Sequence, residues 1–211
     1  PQPAQPLPDP GNKELGEQIA RWVGRGSQTV AMAPRFLESR PWLLELLKLR
    51  EAGSAMHLTA LGFGGVATVA LATAGALEVA DGVRHRNYAE IFVGAGEIAR
   101  AGYVGTWTGS LAASPSWASG LEGFSQGAAL VSGAFQVAGG LARLAHKKKP
   151  DNPVNPKIVG LLEAGQGVAW MASMLGAPVG AAFVVKMALA TAKTLYTHQE
   201  KWQNWTHQEP R

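Results

Sequence analysis

The sequence predicts an all-α fold, a bundle of long helices and helical hairpins rich in Gly and Ala. Three observations predict it. His57 to Leu77, Gly123 to Ala142 and Gly165 to Val185 each run without a formal charge. In the first and last of these runs small residues recur at a strict spacing of four, which is expected to stack them as one narrow stripe on a helix. Apart from Ile91, Phe92 and Val93, which could form a short strand, no strand-like run supports a parallel sheet.

Composition agrees. The 211 residues suffice for one sizeable core, or one domain with a flexible end. Apolar residues make up 46% and charged ones only 16%, well under the usual quarter. With 26 Gly and abundant Ala, backbones are expected to approach closely where other proteins fill space with large side chains. A formal charge of +4 suits an anionic partner without demanding one. The absence of Cys excludes disulfide frameworks, thiolate metal sites and cysteine nucleophiles together. With Pro1 first and no charged-then-apolar leader, the chain is expected to be a piece of something longer.

The elements follow in order. Residues 1–12 (PQPAQPLPDPGN) are proline-rich and predict an extended linker. A helical domain is expected over 13–205, and a polar tail over 206–211. Its first helix runs from about Lys13 to Val23, with Leu15, Ile19 and Trp22 on one face and Gly24 and Gly26 as a stop. Ser39 then caps a second, amphipathic helix with Pro41 in its first turn and an apolar face from Trp42 to Leu49. The run at 57–77 follows, carrying Ala60, Gly64, Thr68, Ala72 and Ala76, with Ala80 continuing the row. A further helix spans about Tyr88 to Gly102, and TWTGSLAASPSW reads as a polar connection. After the run at 123–142 come Arg143, His146 and the triplet Lys147, Lys148, Lys149, then a turn at DNPVNP. The last run carries Gly165, Ala169, Ser173, Ala177 and Ala181, and Pro178 is expected to kink or split it. The tetrapeptide at Thr197 returns at Thr206. Glu122, Gln126, Gly127 and Ser132 are echoed, one insertion apart, by Glu163, Gln166, Gly167 and Ser173, an order compatible with duplicated hairpins.

Motifs with chemistry are few. In AEIFVGAGEIARAG, Gly94, Gly96 and Ala99 match the dinucleotide fingerprint G-x-G-x-x-[GA]. The fingerprint also needs a βαβ unit and an acidic residue about twenty positions on, where this chain has neither. A Gly-rich helix face is the better reading. Glu78, Asp81 and His85 have the spacing of metal ligands on one helical face, but Arg84 and Arg86 beside them favour local charge pairing at a solvated helix end. Glu97 and Arg100 form an intrahelical pair. Neither HExxH nor G-x-S-x-G occurs, so no catalytic residue, cofactor or metal is expected.

The basic cluster Lys147 to Lys149 follows an apolar helix at once. It suits an anionic lipid surface or a helix C-terminus. Nucleic acid would call for more basic residues with interleaved aromatics. The charge-free runs have the length to span a bilayer. In the first, Leu58, Leu61, Phe63, Val66, Val69, Leu71 and Leu77 contribute roughly −2 to −4 kcal/mol, which Gly, Thr and His erode, so insertion is expected to be marginal. Trp107, Trp117, Tyr196, Trp202 and Trp205 lie near run ends, as interfacial residues do. In broad style, a Pro-rich lead-in before a Gly-rich apolar helical module resembles membrane-acting toxin or effector domains of bacteria. That resemblance implies a secreted or membrane-associated protein that inserts its hairpins into lipid. The alternative expectation is a soluble helical module that docks a protein partner, or a second copy of itself, without catalysis.

Overall fold

The computed structural model describes residues 10–38, 53–146, 154–176 and 179–197. The proline-rich lead-in before Pro10, the Ser39-capped segment with Trp42 to Leu49, Lys147 to Lys149, Ala177, Pro178 and everything after Thr197 lie outside those residues. Among the described residues all regular structure is helical, in six helices: α1 (Pro10–Glu38), α2 (Gly53–Arg84), α3 (Tyr88–Ala112), α4 (Pro115–Leu144), α5 (Pro156–Met174) and α6 (Val179–Thr197). The all-α expectation holds.

The helices are longer than their sequence punctuation suggests. Instead of stopping at Gly24 and Gly26, α1 runs through both to Glu38. Gly24 marks a close approach, since a Cβ there would lie 2.9 Å from Leu71 Cδ2 of α2. Much of the expected polar connection TWTGSLAASPSW is likewise helical. It ends α3 and begins α4, with Ala113 and Ser114 alone between them. Pro115 tolerates this because the first turn of a helix has no use for its missing N–H. The last charge-free run does divide: α5 ends at Met174 and α6 begins at Val179. Gly176, at φ 97, takes the left-handed conformation that often follows a helix end. Asn155 caps α5 by accepting a hydrogen bond from the backbone N–H of Lys157 at 3.0 Å.

Each helix packs antiparallel against its successor, giving an up-and-down array from α1 to α6. At 25 to 32 residues, α2, α3 and α4 are roughly 37–48 Å long. Central α3 lies between α2 and α4 and is buried along most of its length. One apolar cluster joins Ala67 and Leu71 of α2 to Ala101, Tyr103 and Val104 of α3, Ala129 of α4 and Trp170 of α5. A smaller one joins Ala31, Ala60 and Trp107.

Candidate functional site

Three features could carry function: the glycine contacts that hold the array, the charged groups buried inside it, and the apolar side chains turned outward.

Glycines bring the helix axes together. A Cβ added at Gly75 of α2 would meet the Gly94 carbonyl oxygen of α3 at 2.6 Å, and one at Gly94 would meet the Gly75 oxygen at the same distance. Gly140 and Gly160 face each other across α4 and α5 in the same reciprocal way, as do Gly133 and Gly167. Ser132 Oγ fastens α4 to α3 by donating to the Gly96 carbonyl oxygen at 2.9 Å.

The expected rows at a spacing of four are distributed differently. Ala60 and Gly64 are buried, Thr68 and Ala72 half-buried, and Ala76 and Ala80 exposed. Four residues turn a helix by more than one revolution, so such a row drifts about 40° per step and leaves the interface. The contacting glycines use seven instead: Gly75 and Gly82, Gly133 and Gly140, Gly160 and Gly167. Seven residues drift only about 20° the other way, so these stay on one face. In the second row Gly165 and Ser173 are half-buried, Ala169 is buried and Ala181 is exposed. Because α5 and α6 are separate helices, that row does not form one continuous face. The echo at an offset of 41 also differs in setting: Glu122, Gln126 and Gly127 are exposed, whereas Glu163, Gln166 and Gly167 are buried.

Charged groups occupy the interior. Glu97 is 1% exposed and accepts from Arg25 of α1 at 2.5 Å and from Arg100 at 3.2 Å. The Glu97–Arg100 spacing is that of an ordinary intrahelical pair, but both members are buried and a second helix completes the group. Arg21 of α1 pairs with Glu78 of α2 at 2.8 Å and also with Glu17. Glu163 of α5 binds Arg143 of α4 at 2.6 Å and Lys193 of α6. Three buried carboxylates thus each join neighbouring helices.

Beside Glu97 lies a cavity of about 530 Å³, bounded by α1, α3, α4, α5 and α6. Arg25, Arg100 and Lys186 bring cations to its wall; Met32, Met174 and Met187 supply apolar surface. Trp170 is central. Tyr103 meets it edge-on at 5.3 Å, Lys186 Nζ sits 3.6 Å from its ring centre, and the Arg100 guanidinium lies 5.9 Å away.

The remaining motifs resolve simply. Gly94, Gly96 and Ala99 are all inside α3, with no strand before them, so no phosphate-binding turn forms. Glu78 points to Arg21, leaving Asp81 and His85 exposed and paired at 3.5 Å. Glu90 joins them across the turn, with the three ligand atoms within 4.8 Å of one another. Exposed acidic groups at a helix end are common without an ion.

The outer surface is strongly apolar. Leu58, Phe63, Val66, Val69, Leu77 and Val83 of α2 are exposed, as are Ile19, Trp22, Val23 and Val30 of α1. The outer faces of α4, α5 and α6 continue this with Phe124, Val131, Leu141, Leu161, Val168, Val184 and Leu195. Of the four largest fully buried side chains, Leu71, Glu97, Val104 and Ser132, two are polar. Exposed apolar side chains are thus plentiful, while Glu78, Glu97, Arg100 and Glu163 share the interior with Leu71, Tyr103, Val104, Trp107 and Trp170. No family model matches this chain, and neither does any curated protein or solved structure.

Proposed function

We propose that this chain is a membrane-inserting helical domain whose bundle seats in a bilayer with its glycine contacts and ion pairs inward. One observation carries the reading: many large apolar side chains face out, while carboxylates, an arginine and close-packed glycines share the interior with the apolar core. Lipid supplies no hydrophobic drive between helices, so association there relies on close backbone packing and interhelical polar contacts. Ionisable residues within a bilayer face the bundle interior and pair with one another. Glu97 with Arg25 and Arg100, and Glu163 with Arg143 and Lys193, have that form.

The turns lend support. In an antiparallel array the α2–α3 and α4–α5 connections share one end. The first carries Arg84, His85 and Arg86; the sequence of the second carries His146, Lys147, Lys148 and Lys149 with one acid, Asp151. At the opposite end the connections are Ala113–Ser114 and residues 175–178, all uncharged, while the stretch joining α1 to α2 holds both signs. Basic short loops stay on the cytoplasmic side of inserted proteins and hold to anionic headgroups. Among the described residues one helix, Ser54–Arg84, is long and apolar enough to cross by itself. The others carry interior charges and would enter as partners of α2. Such marginal insertion suits a chain that is first soluble and later enters lipid, as a secreted toxin or effector does.

The lack of Cys makes the test clean. His85→Cys and Ser114→Cys place single thiols at opposite ends of the array. In sealed vesicles, an impermeant maleimide is expected to label one from outside and the other only after lysis. Equal labelling of both from outside would overturn the reading. A monodisperse protein without detergent, inert towards liposomes, would instead identify a soluble module that docks a protein.

A further inference from the structure

We propose that the cavity beside Glu97 is a binding site for an anionic amphiphile, a molecule with one carboxylate or phosphate head and an apolar body. The inference does not depend on how the bundle meets a membrane.

Charge is the first argument. Arg25, Arg100 and Lys186 line the cavity with one carboxylate, the exposed Glu122, while buried Glu97 is not part of the wall and is already shared by both arginines. Among the described residues no carboxylate forms an ion pair with Lys186, whose ammonium rests on the Trp170 ring instead. A cation held beside a guanidinium 5.9 Å from the same ring gains from an added anion.

Unused donors are the second argument. Arg100 Nε and Nη2, Gln166 Nε2 and Trp170 Nε1 are buried and have no hydrogen-bond partner among the described residues. All four belong to cavity-lining residues and all four donate. Buried donors without acceptors are unfavourable, and an oxygen-rich head group is the chemistry that satisfies them together.

The rest of the wall decides what the head is attached to. Met32, Met174, Met187 and Ala190 line it, and methionine adapts to irregular apolar shapes. Free inorganic phosphate would leave that surface unused, whereas an alkyl or aryl anion covers it.

The test measures binding of decanoate and decyl phosphate to the intact protein, in uncharged detergent or plain buffer, whichever keeps it monodisperse. Either anion is expected to bind saturably at one site per chain, with decanol and decyltrimethylammonium binding far more weakly. Lys186→Gln is expected to weaken binding about tenfold or more. Lys157→Gln, exposed and outside the cavity, is expected to leave it unchanged. Ala190→Phe narrows the cavity without changing its charge and is expected to weaken binding, which keeps the test decisive if Lys186→Gln fails to fold. Repeating the titration in phosphatidylglycerol and phosphatidylcholine nanodiscs identifies the source. Competition by phosphatidylglycerol alone assigns the head to membrane lipid, and undisturbed decanoate binding assigns it to a free carboxylate. Decanol binding as tightly as decanoate, or wild-type affinity in both Lys186→Gln and Ala190→Phe, would overturn the proposal.

Discussion

Gly140 and Gly160 lie so close that a Cβ on either would stand 2.5 Å from the other's carbonyl oxygen. Backbone blocks backbone here, so no side-chain adjustment can relieve a substitution. Gly140→Val or Gly160→Val is expected to lower unfolding stability by at least about 1–3 kcal/mol, the scale of overpacking. Gly127, on the same helix as Gly140, has nothing within 4 Å of its Cβ position. Gly127→Ala is expected to gain up to about 1 kcal/mol from helix propensity. Thermal unfolding of the three variants, followed by circular dichroism, checks both directions.

Glu97 is the pivot of the interior charges. It is 1% exposed, and its two partners come from different helices. Removing its charge leaves Arg100, itself 3% exposed, without an anion. Glu97→Gln is expected to destabilise by about 3–5 kcal/mol, the range for breaking a buried pair. Arg143 and Lys193, the partners of Glu163, keep side-chain exposures of 23% and 22%, so water can screen them. Glu163→Gln is therefore expected to cost less than Glu97→Gln. Denaturant titrations of the two variants decide the order, and equal losses would show that burial of the partners does not matter.

Much of this architecture is legible in the sequence. Charge-free runs of about twenty residues, separated by basic turns and prolines, declare long helices and the division between α5 and α6. Which residues meet is less legible. A row at a spacing of four looks regular in print but rotates off its face, as the exposure of Ala76 shows. The spacing of seven that joins Gly133 to Gly140 and Gly160 to Gly167 was present and carries the contact. Gly24 also shows that a glycine inside a periodic segment can signal a neighbour instead of an end. The ion pairs were harder to find. Glu163 and Glu78 had a signal, each an acid set in a largely apolar helix, but their partners Lys193 and Arg21 lie 30 and 57 positions away. No local pattern encodes that pairing.

Ser132 offers a smaller, cleaner measurement. It is fully buried, and its hydroxyl donates to the Gly96 carbonyl oxygen, a link between α3 and α4 that involves no charge. Ser132→Ala is expected to cost about 0.5–1.5 kcal/mol, the net value of one such bond. Ser132→Val removes the same bond and adds bulk beside a glycine contact, so it is expected to cost more. Measured in detergent, a loss from Ser132→Ala nearer 0.6 kcal/mol, on the order found between helices in membranes, would be equally consistent with an interhelical bond. A zero loss would not.

Val69 separates the two environments the outer face could meet. It lies at the middle of α2 and is 68% exposed, with no interior partner to lose. In water, Val69→Lys is expected to change stability by no more than about 0.5 kcal/mol, as exposed substitutions do. At the centre of a membrane-spanning helix, lysine costs about 2.5–3.5 kcal/mol, comparable to the whole insertion energy of this marginal segment. The variant is therefore expected to fold as the wild type does but to lose its carbonate-resistant membrane fraction. Ala67→Lys, at a position with 0% exposure, is the contrast, because it is expected to disrupt the bundle in either setting. If Val69→Lys keeps the full membrane fraction, the outer face of α2 does not lie in lipid and the proposed insertion is wrong.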